Sequence, residues 1–73
     1  ERMDADTKRA LLGSAIRERR EAQSLSQQKL ALMVGSSKSH IWRIESGRVS
    51  VGLDDLGRIA DALDVRVRDL FSF

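Results

Sequence analysis

The segment from Leu25 to Gly47 constrains the fold more than any other part of this 73-residue chain. It contains two helix starts, because Ser26 and Ser37 each precede an apolar helical pattern and can accept a backbone N–H as an N-cap. Gly35 separates the two patterns, and glycine adopts the left-handed conformation that ends a helix without a Cβ penalty. Two short helices joined by so brief a turn must cross steeply, as they do in a helix-turn-helix.

The second of these helices, predicted over residues 38–46, has two different faces. At about 100° per residue, Ile41 and Ile44 point to one side. The other side carries ammonium, hydroxyl, indole and guanidinium groups, from Lys38, Ser39, Trp42, Arg43 and Ser46. Such groups suit a DNA major groove, where guanine offers two acceptors and thymine a methyl group. The alternative interpretation is an ordinary solvated helix face.

At these positions the sequence resembles the lambda-repressor-like (Cro/C1, XRE-type) helix-turn-helix regulators. The matching residues are Leu25-Ser26-Gln27, Leu30-Ala31, Val34-Gly35, Ser37, Ile41, Arg43-Ile44-Glu45 and Gly47. The match continues through Leu53, Leu56, Ile59-Ala60, Leu63 and Leu70-Phe71, so the resemblance covers residues 11–71. Three residues depart from the family pattern. Ser36 replaces an apolar residue, Asp64 replaces glycine, and Trp42 is bulkier than the residue common there.

Composition predicts one small domain over residues 1–73, with residues 1–6 expected to fray. The sequence has no cysteine, so disulfides and thiolate metal sites are excluded. No apolar run approaches the ~20 residues of a membrane span and no signal peptide is visible, so we expect a cytoplasmic protein.

Charge is distributed unevenly along the chain. Residues 1–50 carry ten Lys/Arg against six Asp/Glu, a balance of +4, whereas residues 51–73 carry three against five, a balance of −2. The positive half contains the helix-turn-helix, as contact with phosphates would require. An asymmetry this small also arises by chance on a solvated surface.

The remaining elements complete an all-α prediction, since proline and sustained β-branched alternation are absent. A first helix should be capped by Asp6 or Thr7 and run to about Ala22, with the apolar stripe Leu11, Leu12, Ala15 and Ile16. A fourth helix buries Leu53, Leu56, Ile59, Ala60 and Leu63, and a last short helix spans about Val67 to Phe71. Together with the resemblance, this predicts a five-helix lambda-repressor-like domain with its helix-turn-helix over residues 26–46.

The resemblance implies roles for individual side chains. It places base contacts at Lys38, Ser39 and Arg43, and phosphate contacts at Gln27, Ser46 and Arg48. It also implies a structural ion pair between Arg20 and Glu45.

Two side chains on the second helix of the unit can each take more than one role. We include Trp42 among the base contacts because its indole can pack on thymine methyls; it can also pack on the sugar–phosphate edge or simply shield a helix. His40 occupies a boundary position and is a candidate phosphate contact. A lone histidine without cysteine is a poor metal site, so we predict no metal.

The C-terminal tail is more apolar than so short a segment needs. Part of the group Val67, Leu70, Phe71 and Phe73 should close the core, and the surplus is a candidate homodimer contact. The family binds as two-fold dimers, so the resemblance implies an inverted-repeat operator with half-sites about 34 Å apart.

The leading hypothesis is therefore a sequence-specific transcriptional regulator of double-stranded DNA, similar to restriction–modification controller proteins and small phage repressors. It needs no cofactor and no small-molecule ligand. The alternative is an antitoxin-like module that binds a partner protein through the apolar tail. An enzyme is disfavoured and no catalytic residue is predicted, because the single His40 has no arranged acid beyond Glu45 and no Gly-rich phosphate loop is present.

Overall fold

A computed structural model describes residues 2–73 of the chain. Glu1, the first of the residues expected to fray, lies outside the described residues. The elements are α1 (Ala5–Ala22), α2 (Gln27–Val34), α3 (Lys38–Glu45), α4 (Leu53–Ala62) and a C-terminal 3₁₀ helix (Val67–Leu70). Residues 2–73 contain no strand, which confirms the all-α prediction. The predicted fifth helix differs only in being a tighter 3₁₀ turn that ends at Leu70.

Both helix starts of the helix-turn-helix are confirmed. The Ser26 hydroxyl accepts a hydrogen bond from the Lys29 N–H at 3.0 Å, and the Ser37 hydroxyl accepts one from the His40 N–H at 3.1 Å. Gly35 ends α2 with a φ of +67°, the left-handed conformation that the sequence predicts. Local chemistry therefore fixes where these two helices begin and where the first one stops.

The predicted cap of α1, Asp6 or Thr7, is wrong by two or three residues. Asp4 caps the helix, and its carboxylate accepts a hydrogen bond of 2.7 Å from the Thr7 N–H, which lowers the Asp4 pKa. Asp6 lies instead in the first turn, where a carboxylate favours the helix dipole, and pairs with Arg9. The helix consequently extends into the stretch that was expected to fray.

One hydrophobic core joins all five elements. Its fully buried members are Ile16, Leu30, Ile41, Ile44, Ile59, Leu63 and Leu70. Two predicted core residues are exposed instead, Leu11 at 37% and Leu53 at 76%. Leu11 lies about 100° around the helix from the buried Leu12. Leu53 belongs to the first turn of α4, which is exposed from residue 52 to residue 54.

The middle of α1 lies against the backbone of α3 at Gly13. A Cβ atom at this position would be 2.5 Å from the carbonyl oxygens of both Ile44 and Glu45. Real Cβ atoms do not approach so closely, so only glycine lets the two helices meet at this distance. This close contact fixes the position of α3 against α1.

Among residues 2–73, none of the helices combines the length and apolar character needed to cross a bilayer.

Candidate nucleic-acid interface

The two faces of α3 lie as the sequence predicts. Ile41 and Ile44 are buried in the core, with 1% and 2% of their surface exposed. Ser39, Trp42 and Arg43 are exposed on the opposite side. The core therefore holds α3 by its apolar side, and its polar side is free to contact another molecule.

Ser39 and Arg43 lie one helical turn apart and interact with each other. Arg43 Nη1 donates a hydrogen bond of 3.2 Å to Ser39 Oγ. A guanidinium has five N–H donors, so most of them stay available on the outside of the helix. Lys38 adds an exposed ammonium group at the first residue of α3. This row of donors matches the chemistry that base edges in a major groove require.

A shallow groove runs beside α3, between the last turns of α1 and the start of α2. Its lining is basic or amidic apart from one serine and one indole, and consists of Arg17, Arg20, Ser26, Gln27, Gln28, Lys38 and Trp42. The N-terminus of α2 opens onto this groove, where unpaired backbone N–H groups favour an anion. Gln28 was missed in the sequence, because its place beside Lys38 depends on how the two helices cross.

The side chain of Gln27, a predicted phosphate contact, is held in place by a hydrogen bond to Glu45. The side chain is half-buried, and its Nε2 donates a hydrogen bond of 3.1 Å to Glu45 Oε1. That bond uses one of its two amide hydrogens and orients the remaining one. Glu45 therefore positions Gln27 at the edge of the groove.

Glu45 also forms a buried ion pair with Arg20. The pair is bidentate, with Nε to Oε2 at 2.7 Å and Nη2 to Oε1 at 2.9 Å. Arg20 Nη1 donates a third hydrogen bond, of 2.7 Å, to the Leu25 carbonyl. The bond to Glu45 raises the pKa of Arg20, against the opposing effect of burial. One carboxylate thus ties the end of α3 to both α1 and α2.

The segment after α3 places Arg48 over Trp42. The guanidinium carbon of Arg48 lies 4.9 Å from the centre of the indole ring, within the range of a cation–π contact. The Ser46 hydroxyl donates a hydrogen bond of 2.8 Å to the Trp42 carbonyl. A phosphate contact by Ser46 would require this hydroxyl to rotate outward.

His40 lies on the other side of α3. It is half-buried and borders a cavity of about 360 Å³ between α2, α3 and α4, whose other lining residues include Ile41, Asp55 and Arg58. This position separates His40 from the groove beside Trp42. Within the part of the chain that the structure describes, no group of three or more metal-binding side chains occurs.

The tail residues divide between the core and the surface. Leu70 is fully buried within the single chain, so it belongs to the part of the tail that closes the core and not to the candidate dimer contact. Val67 is half-buried, and Phe71 and Phe73 are exposed by 42% and 40% with their ring centres 5.6 Å apart. The 3₁₀ turn directs Leu70 inward and leaves the two phenylalanines as the apolar surplus.

Comparison with known proteins identifies relatives of this chain. The control protein C.BamHI of Bacillus amyloliquefaciens is 38% identical over 66 residues, which cover 89% of this chain and 82% of that protein. The crystal structure of the restriction–modification controller protein C.AhdI from Aeromonas hydrophila is similar with a TM-score of 0.89 at 35% identity. The match covers 94% of this chain and all of C.AhdI.

A third relative is longer. The HTH-type transcriptional regulator y4dL of Sinorhizobium fredii is 42% identical over 52 residues, and the match spans 71% of this chain but only 26% of that regulator. The family model HTH_3, described as helix-turn-helix, matches residues 16–70. The chain therefore belongs to the HTH_3, or XRE-type, family and is related to the controller proteins C.BamHI and C.AhdI.

Proposed function

We propose that this protein is a sequence-specific DNA-binding transcriptional regulator of the controller-protein kind. The observation that carries the proposal is α3, whose apolar side is held in the core while Lys38, Ser39 and Arg43 project outward beside a basic groove. Helix-turn-helix proteins place the second helix of the motif in the major groove and the first across the phosphate backbone. The relatives are regulators, and this favours binding over catalysis.

Within this proposal, some exposed side chains contact base edges and determine sequence preference, whereas others contact phosphates and position the protein on the duplex. Lys38, Ser39 and Arg43 read base edges, and Arg43 has the planar fork that suits the two acceptors of guanine. Gln27 and the backbone at the start of α2 hold a phosphate, and Arg48 holds another. His40 and Ser46 are secondary candidates, because one lies apart from the groove and the other must rotate its hydroxyl.

We further propose that the protein binds an inverted repeat as a homodimer. Phe71 and Phe73 form an exposed apolar pair, and Val67 lies half-buried at the start of the same segment. A two-fold axis through such a contact would present two copies of α3 to one side of the duplex. Half-sites about 34 Å apart follow from that symmetry.

The test is a selection of bound duplexes from random DNA, followed by binding measurements at several salt concentrations. Arg43→Ala should cost about 1–3 kcal/mol and relax the preference at one base pair. Arg48→Ala should weaken all duplexes alike and flatten the salt slope by about one unit. Arg66→Ala is the charge-matched control, because Arg66 lies among Asp61, Asp64 and Asp69, and it should change little.

Two outcomes would contradict the proposal. An Arg43→Ala variant with unchanged base preference would mean that α3 does not read DNA in this orientation. A chain that selects no duplex but captures a protein through its phenylalanine tail would favour the antitoxin-like alternative.

A further inference from the structure

The geometry points to a positioning role for Trp42 that goes beyond the proposed function and rests on it. We propose that the indole, which borders the groove, is a platform that holds the Arg48 guanidinium, so that the two side chains bind a DNA phosphate as one unit. Trp42 then contributes to affinity mainly through Arg48.

The first observation is the contact itself. The Arg48 guanidinium carbon lies 4.9 Å from the indole centre, and Trp42 remains 46% exposed. A guanidinium carries its N–H donors in its own plane and at its edges. Contact with an aromatic ring therefore leaves donors free to grip a phosphate.

The second observation is that the backbone of Arg48 is pinned to α3. The Gly47 N–H donates to the Ile44 carbonyl at 3.1 Å, and the Arg48 N–H donates to the Arg43 carbonyl at 2.9 Å. With Gly47 at a φ of +74°, these bonds form a Schellman motif. Arg48 therefore starts from a fixed point on the last turn of α3, and its side chain reaches back to Trp42.

The third observation is the location of the indole. Trp42 borders the groove that Arg17, Gln27 and Lys38 also line, between those residues and the Ser39–Arg43 row. An arginine on an unsupported loop loses rotamer freedom when it binds a phosphate, and a platform that restrains it beforehand reduces that loss. Arg48 does not itself line the groove, but a phosphate that reaches Trp42 meets an arginine that is already oriented.

The experiment is a double-mutant cycle on a duplex that the wild-type protein binds. Trp42→Ala, Arg48→Ala and the double variant are compared by dissociation constant, with thermal melting to verify that each variant folds. We expect Arg48→Ala to weaken DNA affinity less in the Trp42→Ala background than in the wild-type protein, by a factor of about two to five. That factor corresponds to the energy of an exposed cation–π contact. The matched control is Arg66→Ala, because Arg66 lies among Asp61, Asp64 and Asp69 and does not line the groove that Trp42 borders; its small effect should be the same with and without Trp42.

A second readout needs no DNA. Trp42 is the only tryptophan in the chain, so its fluorescence reports on this site alone. Arg48→Ala should uncover one face of the ring and increase its quenching by acrylamide, whereas Arg66→Ala should leave quenching unchanged. Non-additive losses of affinity in the cycle, together with increased quenching in Arg48→Ala, would support the platform.

Additive losses in the cycle would overturn the platform while DNA binding itself stands. A Trp42→Ala loss that disappears when thymine in the duplex is replaced by uracil would also overturn it, because Trp42 would then contact the thymine methyl. A wild-type protein that binds no duplex would overturn the proposed function, and the platform with it.

Discussion

The same hydrogen-bond pattern ends all four α-helices, but two different kinds of residue occupy its left-handed position. Gly35 and Gly47 have φ values of +67° and +74°, whereas Ser24 and Asp64 both have +57°. After each of them the next N–H donates back five residues, as in the bond of 3.0 Å from Val65 to the Ala60 carbonyl. A side chain with a Cβ is strained in this conformation, although aspartate tolerates it better than most.

Asp64→Gly should therefore stabilise the protein. We expect a gain of about 0.5–1 kcal/mol, because the strain that it relieves exceeds the extra chain entropy of glycine in the unfolded state. That corresponds to a rise in melting temperature of about 2–8 °C for a domain of this size.

The control is Asp61→Gly, three residues earlier in the last turn of α4, where the same change relieves no positive φ and should alter stability by less than about 0.5 kcal/mol. If Asp64→Gly lowered the melting temperature, the left-handed conformation at this residue would not be a source of strain.

Arg20→Ala should reduce stability and DNA binding together. The substitution leaves the buried Glu45 carboxylate without its counter-ion, and losing one partner of such a pair costs about 3–5 kcal/mol. Binding falls as well because Glu45 orients Gln27 at the groove. Thermal melting and duplex binding would be measured on the same samples.

Arg17→Ala is the matched control for stability, because Arg17 lies on the same helix in an exposed pair with Glu21 that contributes less than about 1 kcal/mol. If Arg20→Ala weakened binding without any change in melting temperature, Arg20 would instead be a direct phosphate contact.

Two glycines inside helices have opposite surroundings. Gly13 in α1 lies against the carbonyl oxygens of α3, whereas a Cβ at Gly57 in α4 would have no atom within 4 Å. A glycine within a helical pattern signals either a close approach or a tolerated defect, and the sequence alone does not distinguish the two. Whether the glycine is required depends on how α1 and α3 cross, and that crossing brings together residues 31 or more positions apart.

Alanine at these two positions should therefore have effects of opposite sign. Gly13→Ala should destabilise the protein by about 1–3 kcal/mol or more, because α1 must move away from α3. Gly57→Ala should stabilise it by up to about 1 kcal/mol through helix propensity. Equilibrium unfolding in urea measures both, and equal effects of one sign would mean that α1 does not lie against α3 at Gly13.

At the scale of elements, the sequence predicts what is decided locally. Ser26, Ser37 and Gly35 each act through hydrogen bonds or φ values within a few residues, so their roles in helix starts and stops are predictable. Asp4 and Asp6 are equally good caps by residue type, and only the register of the first turn selects between them. The interior side of α3 was also predictable, because its isoleucines repeat at helical spacing.

Across the whole molecule, burial and side-chain encounters depend on distant neighbours. Leu53 and Leu70 have the same apolar character, yet one is 76% exposed and the other is fully buried. Helical periodicity cannot supply this information, because it describes only one element at a time.

The assembly of two copies is a property of the whole molecule and gives the last prediction. Replacing Phe71 and Phe73 together by serine should shift a homodimer toward monomer in sedimentation equilibrium. Leu53→Ser removes an even more exposed apolar side chain elsewhere and should leave the mass unchanged. A wild-type chain that is already monomeric at every concentration would rule out the two-fold contact, whereas a dimer insensitive to both phenylalanines would move it to another surface.

The way α3 is anchored has a consequence for how new recognition properties can arise in this protein. The core holds Ile41 and Ile44, and Gly13 and the Arg20–Glu45 pair attach α3 to α1. Ser39 and Arg43 are exposed and take no part in this attachment. Residues 39 and 43 can therefore vary without disturbing the scaffold that carries them. A library randomised at those two codons, with proline and stop codons left out, should yield folded proteins that differ mainly in the target that they prefer.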